Sequence, residues 1–177
     1  MKQKIFFALF TIVLIMAFFS GITAKAISMA YRSIASKFFP PTYPDLLLRK
    51  CDSYGCGNFG ASRDGGKRKH MGQDYITTEN QHIYAPFSGT VSTSTAYANG
   101  RYPFLKMVKI KDGQTAVNIM YVSPMVKTGE YVERGQLVGY AQSLQSVYPG
   151  IPNHVHVEVS LFGQKVDPVP FFQIPIV

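Results

Sequence analysis

The spacing of apolar positions changes twice along this chain. After a basic start, Met1-Lys2-Gln3-Lys4, the stretch from Ile5 to Ala24 carries no charge and is apolar on all sides. At about 20 residues it is long for a secretory signal and just long enough to span a bilayer. Ala24-Lys25-Ala26 then fits the small-x-small pattern of a cleavage site. A cleaved signal peptide and a retained membrane anchor, each an apolar helix over residues 1–26, are therefore both open. Either way the basic start stays inside and the rest is exported. The expected location is the periplasm or the exterior, anchored, secreted or carried on a virion. Residues 27–50 read as a tether in which Pro40, Pro41 and Pro44 end any helix begun at Ser33–Lys37.

Residues 51–177 read as one domain. Cys51 to about Gly66 is rich in Gly, Ser and Asp and reads as loops. Short alternating segments follow: His82–Phe87, Thr90–Thr95, Phe104–Lys111, Thr115–Val122, Leu137–Ala141 and Val155–Phe162. Turn signals separate them, among them Ser88-Gly89, Asp112-Gly113, Arg134-Gly135 and Pro149-Gly150. Asp112-Gly113 tolerates the positive φ of a tight hairpin. The pattern predicts an all-β fold, a two-layer, mostly antiparallel sheet domain with little helix.

Composition adds a basic balance. The chain has 18 Lys and Arg against 10 Asp and Glu. Removing Lys2, Lys4 and Lys25 leaves 15 basic residues, so the exported part stays cationic. That suits an acidic surface such as a bacterial wall or anionic lipid. Basic residues are scattered apart from Lys67-Arg68-Lys69, and no nucleic-acid partner is expected. Export also makes Cys51 and Cys56 readable, since they are the only cysteines. In an oxidising compartment they close a small loop worth roughly 2 kcal/mol. A zinc pair or two free thiols are the other readings, but no second Cys or His pair lies nearby.

Three of the four histidines fall in two compact clusters, His70-Met71-Gly72-Gln73-Asp74 and Asn153-His154-Val155-His156. In the second, His154 and His156 alternate with Val155, Val157 and Val159. Period two places both imidazoles on one face of a strand and the valines on the other. Both imidazoles could bind zinc, or one binds while the other serves as acid or base; a pair of surface histidines on an edge strand is the plain alternative. In the first cluster, Gly72 disfavours a regular helix and permits a close backbone turn. A His and a carboxylate joined by another His make a three-ligand set with one position open, the arrangement of a catalytic zinc. Asp74 as a cap or an ion-pair partner of Lys67–Lys69 is the bland reading. Zinc held this way would favour hydrolysis of an amide, with His154 as general base or acid.

Across about Cys51 to Phe172 the chain resembles the lysostaphin-type zinc endopeptidases of bacterial peptidoglycan. The matching pieces are Gly57-Asn58-Phe59-Gly60, His70-Met71-Gly72-Gln73-Asp74, Tyr84-Ala85-Pro86-Phe87-Ser88-Gly89-Thr90-Val91, Val132-Glu133-Arg134-Gly135-Gln136-Leu137-Val138-Gly139 and His154-Val155-His156-Val157-Glu158-Val159. The resemblance implies metal ligands at His70, Asp74 and His156, a catalytic histidine at His154, and a groove over the zinc. Cys51-Asp52-Ser53-Tyr54-Gly55-Cys56-Gly57 and Val147-Tyr148-Pro149-Gly150-Ile151 are more similar to the leukocyte cell-derived chemotaxins, and support a Cys51–Cys56 bond. Those are secreted binding proteins not regarded as working peptidases. Active endopeptidases carry a further catalytic His where Tyr121 stands here. A phenol can donate to a developing oxyanion but cannot act as a cation near neutral pH; simple strand packing is the alternative role for Tyr121.

Three functions are thus expected in order. The first is a zinc-dependent endopeptidase cutting peptide cross-links of peptidoglycan. The second is a catalytically weak or silent zinc domain that binds a wall peptide, glycan or receptor. The third is a structural component in which zinc only stabilises.

Overall fold

The structure, a computed structural model, describes residues 47–172. The expected signal or anchor helix and nearly all of the tether lie outside the described residues. Among the described residues, no helix is long and apolar enough to cross a membrane.

The elements in chain order are β1 (Cys51–Asp52), β2 (Gly55–Cys56), β3 (Ser62–Arg63), β4 (Arg68–Lys69), β5 (Gln73–Ile76), β6 (His82–Tyr84) and β7 (Gly89–Thr95). Then come β8 (Lys106–Asp112), β9 (Thr115–Met120), β10 (Val122–Pro124), β11 (Tyr131–Val132), β12 (Leu137–Ala141), β13 (His154–Leu161) and β14 (Gln164–Val166). A helical turn, α1 (Val169–Phe172), follows. The larger sheet runs β11-β7-β8-β9-β13, and β5 and β14 share the far side of β13. A three-stranded sheet runs β10-β12-β6, and β1-β2 and β3-β4 are small ribbons. The pairings are antiparallel, as the pattern predicts.

Alternation explains the body of the larger sheet. In β9 the buried Thr115, Val117 and Ile119 alternate with half-buried Ala116, Asn118 and Met120. Val108 and Ile110 of β8 and Val91 of β7 are also buried. Each such aliphatic side chain contributes about 1.5–3 kcal/mol on leaving water. Gly113 takes φ 54° in the β8–β9 turn, as Asp112-Gly113 leads one to expect.

Two expectations are corrected. The glycine-rich stretch from Cys51 to Gly66 is not only loop, because it contains β1, β2 and β3. These strands are two residues long, below the reach of any periodicity. The single strand expected over Thr115–Val122 is split at Tyr121, which has φ 67°. A left-handed residue cannot continue a ladder, so the chain leaves the larger sheet there and enters the smaller one. For a bulky side chain this conformation costs about 1 kcal/mol. The backbone is nonetheless paired, with Tyr121 N–H donating to the Lys106 carbonyl and Gln142 N–H donating to that of Tyr121.

Candidate metal centre

β13 brings its histidines to the centre of the sheet. Its first half pairs with β5, and the register sets His156 directly opposite Asp74. Directly opposed residues share a face, so ring and carboxylate meet. His70 reaches the same point from just before β5, with its backbone bonded to Gly60 and Ala61. Gly72 lets the chain cross over β13. A Cβ there would lie 2.4 Å from the Val157 carbonyl oxygen and 2.7 Å from the His156 ring. Gly72, expected to permit a close backbone turn, allows close approach of the backbone to the His156 ring.

Three atoms converge. Asp74 Oδ1 lies 2.8 Å from His156 Nδ1 and 3.3 Å from His70 Nε2, and the two nitrogens are 2.9 Å apart. Ligands bound to zinc at 2.0–2.1 Å in tetrahedral array sit about 3.3 Å from one another. The trio therefore fits one such cation after opening by a few tenths of an ångström. All three residues are buried. Two imidazoles and one carboxylate suit zinc and leave a fourth position free.

The outer nitrogens of both imidazoles face acceptors, as metal-bound imidazoles require. His70 Nδ1 is 2.9 Å from the Asn58 carbonyl oxygen, so a cation-bound His70 would keep its hydrogen there and offer Nε2 inward. His156 Nε2 faces Glu158 Oε1 at 3.5 Å, which leaves its Nδ1 for the centre. His154 Nδ1 donates to the Pro152 carbonyl at 2.8 Å, and its Nε2 stands 3.7 Å from Asp74 Oδ2. His154 is thus beside the trio with an unprotonated nitrogen, not part of it.

Electrostatics agree with these roles. Burial would raise the Asp74 carboxyl, but hydrogen bonds with His156 and His70 hold it far below the usual carboxylate range. Burial would lower the His156 imidazole, yet Asp74 and Glu158 together raise it, so a cation arriving at Nδ1 would have to compete with a proton. Burial pushes His154 down, opposed in part by Asp74. Burial raises Glu158 too, but bonds with His156, Lys165 and Asn118 bring it to about 2. Its folded value lies below the ordinary 4.5. Its contribution to stability is therefore present above 4.5 and lost as pH falls through about 2. Glu158→Gln is expected to flatten the acid loss of stability in that window, read from urea unfolding midpoints across it. An unchanged acid profile would remove Glu158 from this account.

Tyr121 sits against His154, with ring centroids 5.7 Å apart and edge to face. Its hydroxyl is 2.9 Å from that of Tyr97, which is 2.9 Å from that of Tyr148. Burial pushes the Tyr121 phenol up to about 12, so it stays neutral. Cys51 and Cys56 are joined by a disulfide. The fourth histidine, His82, is exposed and bonds Tyr84. Residues not foreseen as parts of the site are Arg49, Asn58, Glu158 and Tyr97. Glu158 gave a signal by continuing the His154–His156 alternation on the same face, and Asn58 by lying in the Gly57–Gly60 piece of the resemblance.

Residues 68–168, more than half of the chain, match Peptidase family M23, and the chain belongs to that family. Myeloid protein 1 of Gallus gallus is 39% identical over 116 residues, 65% of this chain and 35% of its own length. The chain therefore spans about a third of that relative. Leukocyte cell-derived chemotaxin-2 of Mus musculus is 33% identical over 63% of this chain and 72% of its own. The catalytic domain of lysostaphin, an antimicrobial peptidase from Staphylococcus simulans, shares the fold with a TM-score of 0.51 and 24% identity. That likeness covers 65% of this chain and 88% of the lysostaphin domain.

Proposed function

We propose that this protein is a zinc-dependent endopeptidase that hydrolyses peptide cross-links of bacterial peptidoglycan, acting outside the cytoplasm. The observation that carries the reading is the convergence of His70 Nε2, Asp74 Oδ1 and His156 Nδ1 beside a histidine whose Nε2 is left free. Membership in Peptidase family M23 supports peptide hydrolysis, and the resemblance of the motifs around His70–Asp74 and His154–Val159 to the endopeptidases of peptidoglycan motivates a wall substrate. The disulfide suits an oxidising compartment.

His70, Asp74 and His156 would hold the ion. Bound there, zinc polarises a carbonyl and lowers the pKa of water toward about 7. The chain supplies the proton handling. His154 accepts a proton at Nε2, because Nδ1 is committed to the Pro152 carbonyl, and returns it to the leaving amine. Burial keeps this imidazole neutral at neutral pH, the state a base requires.

A second reading, a silent domain that holds zinc and binds a wall peptide, glycan or receptor, is favoured by Tyr121. Its hydroxyl is engaged by Tyr97 and it cannot become a cation. A relative named as a chemotaxin fits that reading. Turbidity of purified peptidoglycan separates the two. The zinc-loaded protein is expected to clear it, and chelator or His154→Ala is expected to stop the clearing. Clearing that survives chelator, or none at all with zinc bound, sinks the enzyme. Tyr121→His is expected to raise the rate about a hundredfold, the lower end of the range for general acid–base catalysis. If the variant binds zinc and gains nothing, Tyr121 is not what limits turnover.

A further inference from the structure

Arg49 is no ligand, yet it is built into the centre. Its side chain is 3% exposed, and its Nη1 donates to Asp74 Oδ2 at 2.9 Å. Nε donates to Asp52 Oδ2 at 2.9 Å, Nη2 donates to Asp52 Oδ1, and Nη2 also reaches the Gly55 carbonyl at 3.0 Å. Asp52 and Gly55 lie within the hairpin closed by Cys51 and Cys56. The backbones are joined as well. Arg49 N–H donates to the Asp74 carbonyl, and Leu48 bridges Tyr75.

The chemistry follows from the carboxylate. Free to rotate, Asp74 could offer a cation either oxygen or both. With Oδ2 held by a rigid guanidinium fork, only Oδ1 faces His70 and His156. The fork in turn has its other edge filled by the hairpin. A lysine is a point charge and cannot bond both aspartates in this geometry.

We propose that Arg49 is a positioning residue of the metal centre, held by the disulfide-closed hairpin, so that opening the hairpin loosens the grip on the cation. This rests on the reading of His70, Asp74 and His156 as a zinc site. The test is zinc affinity of the full chain, measured by competition with a chromophoric chelator. Arg49→Lys and Asp52→Asn are each expected to weaken zinc about tenfold, the lower range for residues that orient ligands. Cys51→Ser with Cys56→Ser should weaken it in the same direction. That pair should add nothing in an Arg49→Lys background, because the effects run through one contact. Loading with cobalt(II) gives a signature that loss of stability alone would not produce. Release of Oδ2 lets Asp74 bind through both oxygens, and visible absorption falls as coordination number rises. Should Arg49→Lys fail to fold, Asp52→Asn decides, since Asp52 is 24% exposed and Asp74 would still pair the buried guanidinium. Affinities within about twofold of the parent for these variants, with the parent binding zinc stoichiometrically, overturn the role of Arg49 alone. A parent chain that binds no zinc overturns the metal reading itself.

Discussion

Gly72→Ala is expected to abolish zinc binding and to cost several kcal/mol of stability. The added methyl carbon would sit 2.4 Å from the Val157 carbonyl oxygen, a backbone atom with no room to yield. It would also press at 2.7 Å on the His156 ring, a proposed ligand. Relief requires lifting the Met71–Gly72 crossing off β13, which pulls His70 and Asp74 away from His156. Overpacking of this kind costs about 1–3 kcal/mol even where side chains can shift, and here backbone must move. Calorimetry of zinc binding and a urea melt of the same sample measure both effects. A Gly72→Ala protein that binds zinc like the parent and melts with it would show that the crossing is looser than described.

Asp74→Ala is the second large change. Asp74 touches His70, His154, His156 and Arg49. Its loss removes the only carboxylate of the proposed trio and strands the Arg49 guanidinium in the interior. Breaking one side of a buried pair costs about 3–5 kcal/mol, although Asp52 retains part of the pairing. The zinc-free variant should therefore be less stable than the zinc-free parent, which separates the Arg49 contact from loss of metal. Asp74→Asn keeps the shape, and the two variants should differ mainly in stability. If zinc-free parent and Asp74→Ala unfold at the same urea concentration, the buried pair contributes nothing net.

The two histidine-bearing clusters were legible because their spacing is short and simple. Alternation in His154–Val159 named a strand, its face and its core side, and Val155, Val157 and Val159 are buried opposite the imidazoles. The resemblance named the same trio that the geometry brings together. Other parts were hidden for physical reasons. β5 carries Asp74 but reads Gln-Asp-Tyr-Ile, with Gln73, Asp74 and Tyr75 all buried, so it shows no alternation. Arg49 meets a carboxylate 25 residues away, a distance no local pattern reports. Tyr121 is not a turn former, and its left-handed φ comes from the change of sheet rather than from its own preference.

The strand carrying His154 and His156 is not an edge, since β9 lies on one side and β5 and β14 on the other. His156 and Val157 are paired on both flanks, so their amide protons should be among the slowest of the domain to exchange. A cation seated there would be released by chemistry, through competing protons or chelators, rather than by local fraying.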